Sequence, residues 1–367
     1  MRAVGIIFSN IHDNSVPELS RIRTLGSIPF GGRYRLIDFP LSNMVNSGID
    51  TVGIITKSNY QSLMDHVGSG KDWDLARKDG GLIILPPYGD TNSSTLYNSR
   101  LEALKGITSF LFRADEDFAV MTDCDSVCRI DLNDVIESHV KNGADISLVY
   151  TKLENAERAT LFNMNKDGRI IGVSYKDRLE NEKSNVFINV FVMKLSLLQN
   201  IVMDSIAHNK IHFTKDVISP NLESMKIFGY EHKGFYAGIT SLQAYFNSSM
   251  ALLDGKIRHE IFGDRSVFTK IRDSAPTKYG NCTVVKNSLI ADGCEIYGEV
   301  ENSIIFRNVK IGRGAVIKNS IVMQNTVLAE NCSLNCIIAD KNVTVTPRKV
   351  LSGSENHPFY LGKGIML

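Results

Sequence analysis

Short apolar runs alternate with amphipathic stretches over the first two thirds of the chain. Strand candidates are Ala3–Phe8, Thr51–Thr56, Phe118–Thr122, Asp145–Tyr150 and Val186–Met193. Between them, Ile37–Ser47 and Leu132–Asn142 carry helical spacing. Strands alternating with helices predict an α/β domain with a doubly wound, mostly parallel sheet. Ligands of such sheets sit beyond the carboxyl ends of the strands, which singles out the loops Ser9–Leu25 and Asp123–Cys128.

Near residue 262 the pattern changes. Helical spacing stops, and short β-branched runs alternate with Asn, Gly, Asp and Glu. Apolar residues then recur at six-residue steps: Val284, Ile290 and Ile296; Ile305, Ile311 and Ile317; Val316, Val322, Leu328 and Leu334. A hexapeptide beat predicts a parallel β-helix, in which each short strand points one apolar residue inward. A β-sandwich would alternate with period two instead. The chain divides accordingly into an α/β domain over 1–255, a polar linker over 256–279 containing Pro276, and a solenoid over 280–367. The tail from Pro347 to Leu367 is expected to cap the solenoid's open end.

Composition narrows the partners. Forty-one basic residues against 40 acidic ones leave no charge surplus to attract nucleic acid or a membrane surface, and neither partner is expected. No apolar run approaches the roughly 20 residues of a membrane helix. The amino terminus lacks the cleavage site of a signal peptide. The six cysteines (124, 128, 282, 294, 332, 336) form no Cys-x-x-Cys pair, so neither zinc nor redox chemistry is signalled. Buried thiols in a reducing cytoplasm are the expectation.

Residues 29–43, Pro-Phe-Gly-Gly-Arg-Tyr-Arg-Leu-Ile-Asp-Phe-Pro-Leu-Ser-Asn, carry a family resemblance. The segment resembles bacterial glucose-1-phosphate adenylyltransferases (ADP-glucose pyrophosphorylases), which make ADP-glucose and diphosphate from ATP and glucose 1-phosphate. Ser62–His66 and Lys215–Ile218 also match the family. The resemblance implies a Rossmann-like (GT-A-like) nucleotidyltransferase domain followed by a left-handed parallel β-helix.

The reactive positions depart from that family. Its first strand runs into Ala-Gly-Gly-x-Gly-x-Arg-Leu, whose backbone holds the triphosphate. Here no glycine occurs between Gly5 and Gly26, and the Gly-Gly-x-Gly positions fall on Asn10, Ile11, His12 and Asp13. Glycines let a backbone approach phosphate and adopt positive φ, which Ile11 and Asp13 oppose. The family's arginine falls on Ser15 and its lysine on Leu25. Of its two metal-binding aspartates, one matches Asp125 in Asp123-Cys124-Asp125-Ser126, and the other has become Gly238, beside Ala237 in place of an arginine. Asp123 is a possible substitute ligand. Mg²⁺ is expected only if some activity survives, and no other cofactor is implied.

In the sugar-phosphate pocket, Tyr175-Lys176-Asp177 keeps the family's lysine but loses its glutamate. His212-Phe213-Thr214-Lys215-Asp216 loses another carboxylate, and Phe187 replaces a serine. Ser99-Arg100-Leu101-Glu102-Ala103 corresponds loosely to a family helix start. Lys176, Phe213 and Arg33 are therefore the substrate-binding candidates, with Asp125 for metal, and no catalytic residue is assigned beyond the remnants Asp125 and Lys176. Lys176 and Lys215 could equally be solvated. Arg33 and Arg35 could bind an anion or fix their own loop through carboxylates such as Asp38.

Such losses resemble the D-type, regulatory subunit that some bacteria encode beside a catalytic paralogue. The resemblance implies a heterotetramer with that paralogue, with self-association and a sugar-phosphate effector as further expectations. The alternative is a competent adenylyltransferase with a rearranged site. Acyl transfer on the solenoid needs a histidine base between coils, and no histidine lies between His259 and His357.

Overall fold

The computed structural model describes residues 1–87 and 97–367. The sheet strands are β1 (Ala3–Phe8), β2 (Thr51–Ile55), β3 (Gly81–Leu85), β4 (Phe118–Asp123), β6 (Ile146–Leu153), β7 (Ala156–Met164), β8 (Ile170–Leu179), β9 (Ser184–Lys194) and β10 (Ile227–Glu231), with β5 (Ser126–Cys128) and β11 (Tyr236–Gly238) forming a separate antiparallel pair. The order is β8-β7-β9-β4-β1-β2-β3, with β6 joining β9 to β10. β1 pairs in parallel with β2 and β4, and all six residues of both β1 and β4 are buried. That is why these strands read as unbroken apolar runs, being covered on both faces. The other wing is antiparallel through β9, which pairs with β4, β6 and β7. Halfway along, β9 changes neighbour: Val186 faces Leu161 of β7, whereas Val190–Lys194 pair with β4. The register shifts between Phe187 and Phe191, and Asn189 in the gap has φ 61°. A bulge re-aims a side chain, and this one turns Asn189 into the site.

The carboxyl-terminal part forms three five-stranded parallel sheets, the walls of the β-helix. Ile304 pairs with Ile321 and Ile321 with Ile338, so these coils are seventeen residues long. Inward positions then step six, six and five along Ile305, Ile311, Ile317, Val322, Leu328, Leu334 and Ala339, all buried. The shortened step explains two departures from a strict six-residue beat. Val284 is exposed and Val316 only half-buried, while Ile317 takes the inward place. At one corner, three successive coils carry an asparagine in the left-handed region: Asn308, Asn325 and Asn342, at φ 58°, 60° and 60°. Asparagine tolerates this conformation, and the three side-chain amides form a ladder at 3.3 and 3.2 Å.

One solenoid sheet is buried on both faces. Ile304, Ile321 and Ile338 turn outward and pack with Phe306 and Met323 against Phe30, Leu36, Phe39 and Tyr245 of the first domain. The segment that best matches the family thus builds the domain interface. Gly31 and Gly32, at φ 57° and 85°, make its hairpin turn, and a side chain on Gly31 would press on Leu252 at 3.0 Å. Segment 256–279 is only partly linker. Helix Gly255–Phe262 buries Ile261 in the same interface, and Lys278–Tyr279 already pairs with Glu295–Ile296 as the first solenoid strand. The tail continues the coils through Val350–Ser352 and Phe359–Leu361 before the Leu367 N–H donates to Thr344. All six cysteines are free, and five are buried.

Candidate functional site

The first site loop follows β1 and is filled by its own side chains. No residue from 1 to 30 has a positive φ, so the backbone forms no phosphate cradle. Asp13 Oδ1 instead accepts the Leu25 N–H at 2.7 Å, closing the loop on itself. Burial pushes the Asp13 carboxyl up to about 7, against the opposing pull of that N–H. Leu25, at the position of the family's lysine, is buried in the interface cluster. Asn10 donates to the Ser58 carbonyl at 3.3 Å and accepts from the Tyr97 hydroxyl at 3.2 Å. Ile11 packs against the main core.

The loop places His12 over the carboxyl ends of the central strands. There, Asp123 ends β4 beside Phe8 of β1, and Asp125 follows two residues later. Among the described residues, His12, Asp123 and Asp125 converge closely enough to suggest a cation site, with ligand atoms within 4.8 Å of one another. A guanidinium is already among them. Arg100 begins the helix Arg100–Lys105, held by a reciprocal cap between Ser99 and Glu102. Its Nε donates to both Asp123 oxygens at 3.0 and 3.1 Å, and its Nη2 donates to Asp123 and, at 2.7 Å, to Asn189 Oδ1. Asn189 Nδ2 completes the ring by donating to Asp125 Oδ2 at 2.8 Å. His12 Nε2 lies 2.6 Å from Asp123 Oδ2 and 3.4 Å from Asp125 Oδ2.

The two aspartates are unlike electrostatically. Burial alone would raise Asp123, but Arg100 and then His12 reverse this and hold its carboxyl below the ordinary range. Asp125 is raised by burial and further by Asp123, despite the opposing pull of His12. Its Oδ1 is buried without a hydrogen-bond partner among the described residues. Burial lowers His12, yet Asp125 and Asp123 outweigh it and raise the imidazole.

His12, Arg100, Asp125 and Asn189 border a cavity of about 880 Å³. Phe187, Tyr175 and Gly238 also line it, so three positions of altered chemistry do converge. Gly238 sits opposite Ser126, and the Ile239 N–H donates to the Asp125 carbonyl at 2.6 Å, placing the lost second carboxylate beside the surviving one. A neighbouring cavity of about 440 Å³ holds Lys215, His212 and the edge of Phe213, whose ring is buried against Phe191.

The expected substrate residues are not assembled. Lys176 lines neither cavity, whereas Tyr175 lines both, and Lys176 pairs with Glu182 at 2.6 Å. Arg33 is exposed, with its guanidinium 5.8 Å from the Tyr34 ring centre. Arg35 is buried, its guanidinium donating to Ser62 Oγ at 3.0 Å while its N–H donates to Asp38. Asp38 in turn meets His66 at 2.6 Å. The Arg35 contacts are loop-fixing.

Arg100, His12 and Asn189 carry the site, and none stood out in the sequence. Arg100 had a signal: a cation in the first turn of a helix opposes the helix dipole and so asks for a nearby carboxylate. Asn189 is one asparagine in an apolar strand, and only the bulge gives it meaning.

Residues 17–255 match the nucleotidyl transferase family and residues 274–357 the GlmU-like C-terminal hexapeptide family. The chain is 33% identical to the glycogen biosynthesis protein GlgD of Bacillus subtilis (strain 168), over 99% of this chain and 96% of that protein. It is 36% identical to GlgD of Geobacillus stearothermophilus over the same shares. Glucose-1-phosphate adenylyltransferase of Thermotoga neapolitana is 35% identical over 80% of this chain and 70% of its own length. Among the described residues no helix is long and apolar enough to cross a membrane. With its strand order, hexapeptide coils and full-length similarity in agreement, the chain belongs to the nucleotidyl transferase family, in the group that contains the GlgD proteins and the glucose-1-phosphate adenylyltransferases.

Proposed function

We propose that this chain is a non-catalytic or weakly active subunit in cytoplasmic glycogen biosynthesis, working by association with a catalytic glucose-1-phosphate adenylyltransferase paralogue, as a heterotetramer. The observation that carries the reading is the self-filled loop Ser9–Leu25, where Asp13 and Asn10 use up donors and acceptors that a nucleotide would need. Nucleotidyl transfer is largely positioning plus charge neutralisation, and the chain lacks the groups for both. The retained Pro29–Asn43 segment has a structural use at the domain interface, which explains why scaffold and chemistry diverge. The GlgD names of the full-length relatives support the pathway.

The test is ADP-glucose synthesis by this chain, by the paralogue, and by the two mixed. The chain alone should show no synthesis above background. Mixing should change the paralogue's KM or kcat by about fivefold or more, the lower end of ordinary allosteric coupling. Robust synthesis by this chain alone favours the rearranged enzyme instead, and unchanged paralogue kinetics would sink the regulatory role.

A sugar-phosphate effector belongs to the same proposal, and cations at the domain seam support a place for its phosphate. Half-buried Lys341 is lowered to about 7, first by burial and then by Arg35 and Arg23, against the pull of Asp340. A lysine lowered in the folded state costs stability wherever the unfolded chain is protonated and the folded one resists. That cost is full at and below about pH 7 and fades as pH rises towards 10.5. Lys341→Met should therefore raise the Tm at pH 7, with the gain shrinking by pH 10. Inorganic phosphate should raise the Tm of the wild type more than that of the variant. An equal gain at both pH values would contradict the buried charge.

A further inference from the structure

The Asp123–Asp125 pair sits where the family would hold a divalent cation, yet its donor set is committed. Such a cation needs several oxygen ligands at about 2.0–2.6 Å. Both Asp123 oxygens accept from Arg100, and Oδ2 also meets His12. Asp125 Oδ2 accepts from Asn189, which leaves Asp125 Oδ1 as the one carboxylate oxygen of the pair without a partner among the described residues. Charge points the same way: the Arg100 guanidinium already cancels one of the two carboxylate charges, which weakens the draw on a dication. The second carboxylate of the family is Gly238 here, which offers no ligand.

Arg100 is also hard to displace. Its helix start is fixed by the Ser99–Glu102 cap, its Nη2 is shared with Asn189, and its guanidinium lies 5.6 Å from the Phe191 ring centre. The Asp123 side chain it binds is fully buried. Asn189 can bridge Arg100 to Asp125 because the β9 bulge holds it at φ 61°. Helix start, bulge and strand end are three separate elements that agree on one placement.

We infer that Arg100 is a built-in counter-cation that takes up the Asp123–Asp125 pair in place of a divalent metal, and that removing its guanidinium opens a metal site in this chain. Asp123 then persists for folding, and the chain needs no Mg²⁺ to keep the pair together. This holds whether or not the chain serves a catalytic partner.

Mn²⁺ alone is the probe, followed through the free-ion electron paramagnetic resonance signal with the full-length chain. The wild type should leave the signal unchanged up to about 1 mM Mn²⁺, the weak end of protein cation sites. Arg100→Ala should remove one Mn²⁺ per chain, at least tenfold more tightly than wild type, and adding Asp125→Asn should abolish the uptake. Mg²⁺ should raise the Tm of Arg100→Ala and leave that of the wild type unchanged, since a ligand stabilises only the state that binds it. Arg100→Gln, which keeps an amide for Asn189, serves if the alanine variant does not fold.

Two results overturn the inference. One is uptake by the wild type that Asp125→Asn removes, a comparison that needs no Arg100 variant. The other is a folded Arg100 variant that binds no better than wild type. Either would leave the mixing experiment with the paralogue untouched, and a null mixing result would leave this one standing.

Discussion

Arg23→Met should destabilise the folded chain by about 3–5 kcal/mol, the usual cost of leaving one partner of a buried pair uncompensated. Arg23 lies in the nucleotidyltransferase domain and Asp340 in the solenoid, 2.6 Å apart, with side chains 3% and 0% exposed. Asp340 is otherwise well supplied: Oδ2 accepts from the Tyr360 hydroxyl at 2.9 Å and Oδ1 from the Lys341 N–H at 2.7 Å. These neutral donors cannot replace a charge, so the buried carboxylate loses its directly bonded cation. Arg23 itself is less well served, because its Nη1 is buried without an acceptor. Replacing both partners with apolar residues should therefore recover much of the loss. Guanidinium chloride denaturation of the two single variants and the double variant gives the cycle. A single variant within about 1 kcal/mol of wild type, the scale of exposed pairs, would show that this contact does not hold the domains together.

The second large effect separates Asp123 from Asp125. Asp123→Ala should cost about 3–5 kcal/mol, because Arg100 would lose the carboxylate it binds and His12 the nearer of its two in a buried site. Asp125→Asn should stay within about 1 kcal/mol of wild type or be mildly stabilising. Its Oδ1 already lacks a partner, and its charge is disfavoured by burial and by Asp123. The family resemblance ranks these residues the other way, with Asp125 as the metal ligand and Asp123 as a substitute. Thermal and denaturant unfolding of both variants at neutral pH decides the order. Equal losses would mean that the Arg100 network weighs both carboxylates alike.

The fold was largely readable beforehand. Each of the five strands anticipated from apolar runs is present, and the two helices expected from spacing end within a residue or two of Asp38–Asn46 and Leu132–Lys141. Long periodic segments report their own burial, so their reading is local. The β7–β8 hairpin was missed because its pattern is mixed: much of β8 is exposed, and its apolar residues do not form a run. Solenoid register slipped at Val284 and Val316 because their coils, fifteen and seventeen residues long, break a strict six-residue beat.

By itself the sequence determined what chemistry is missing. A loop without glycine cannot be a phosphate nest, and Gly238 and Leu25 carry no charge, wherever they lie. It also determined the two-domain architecture, because period and polarity are properties of neighbouring residues along the chain. Only the tertiary structure decided what fills the vacated site. Arg100, His12 and Asn189 are separated by long stretches of sequence and meet only because a capped helix, a self-closed loop and a bulged strand end at one place. The structure likewise places Lys176 outside the pocket, paired with Glu182. Loss of a group is legible residue by residue. Its replacement depends on distances between elements, and those exist only once the chain has folded.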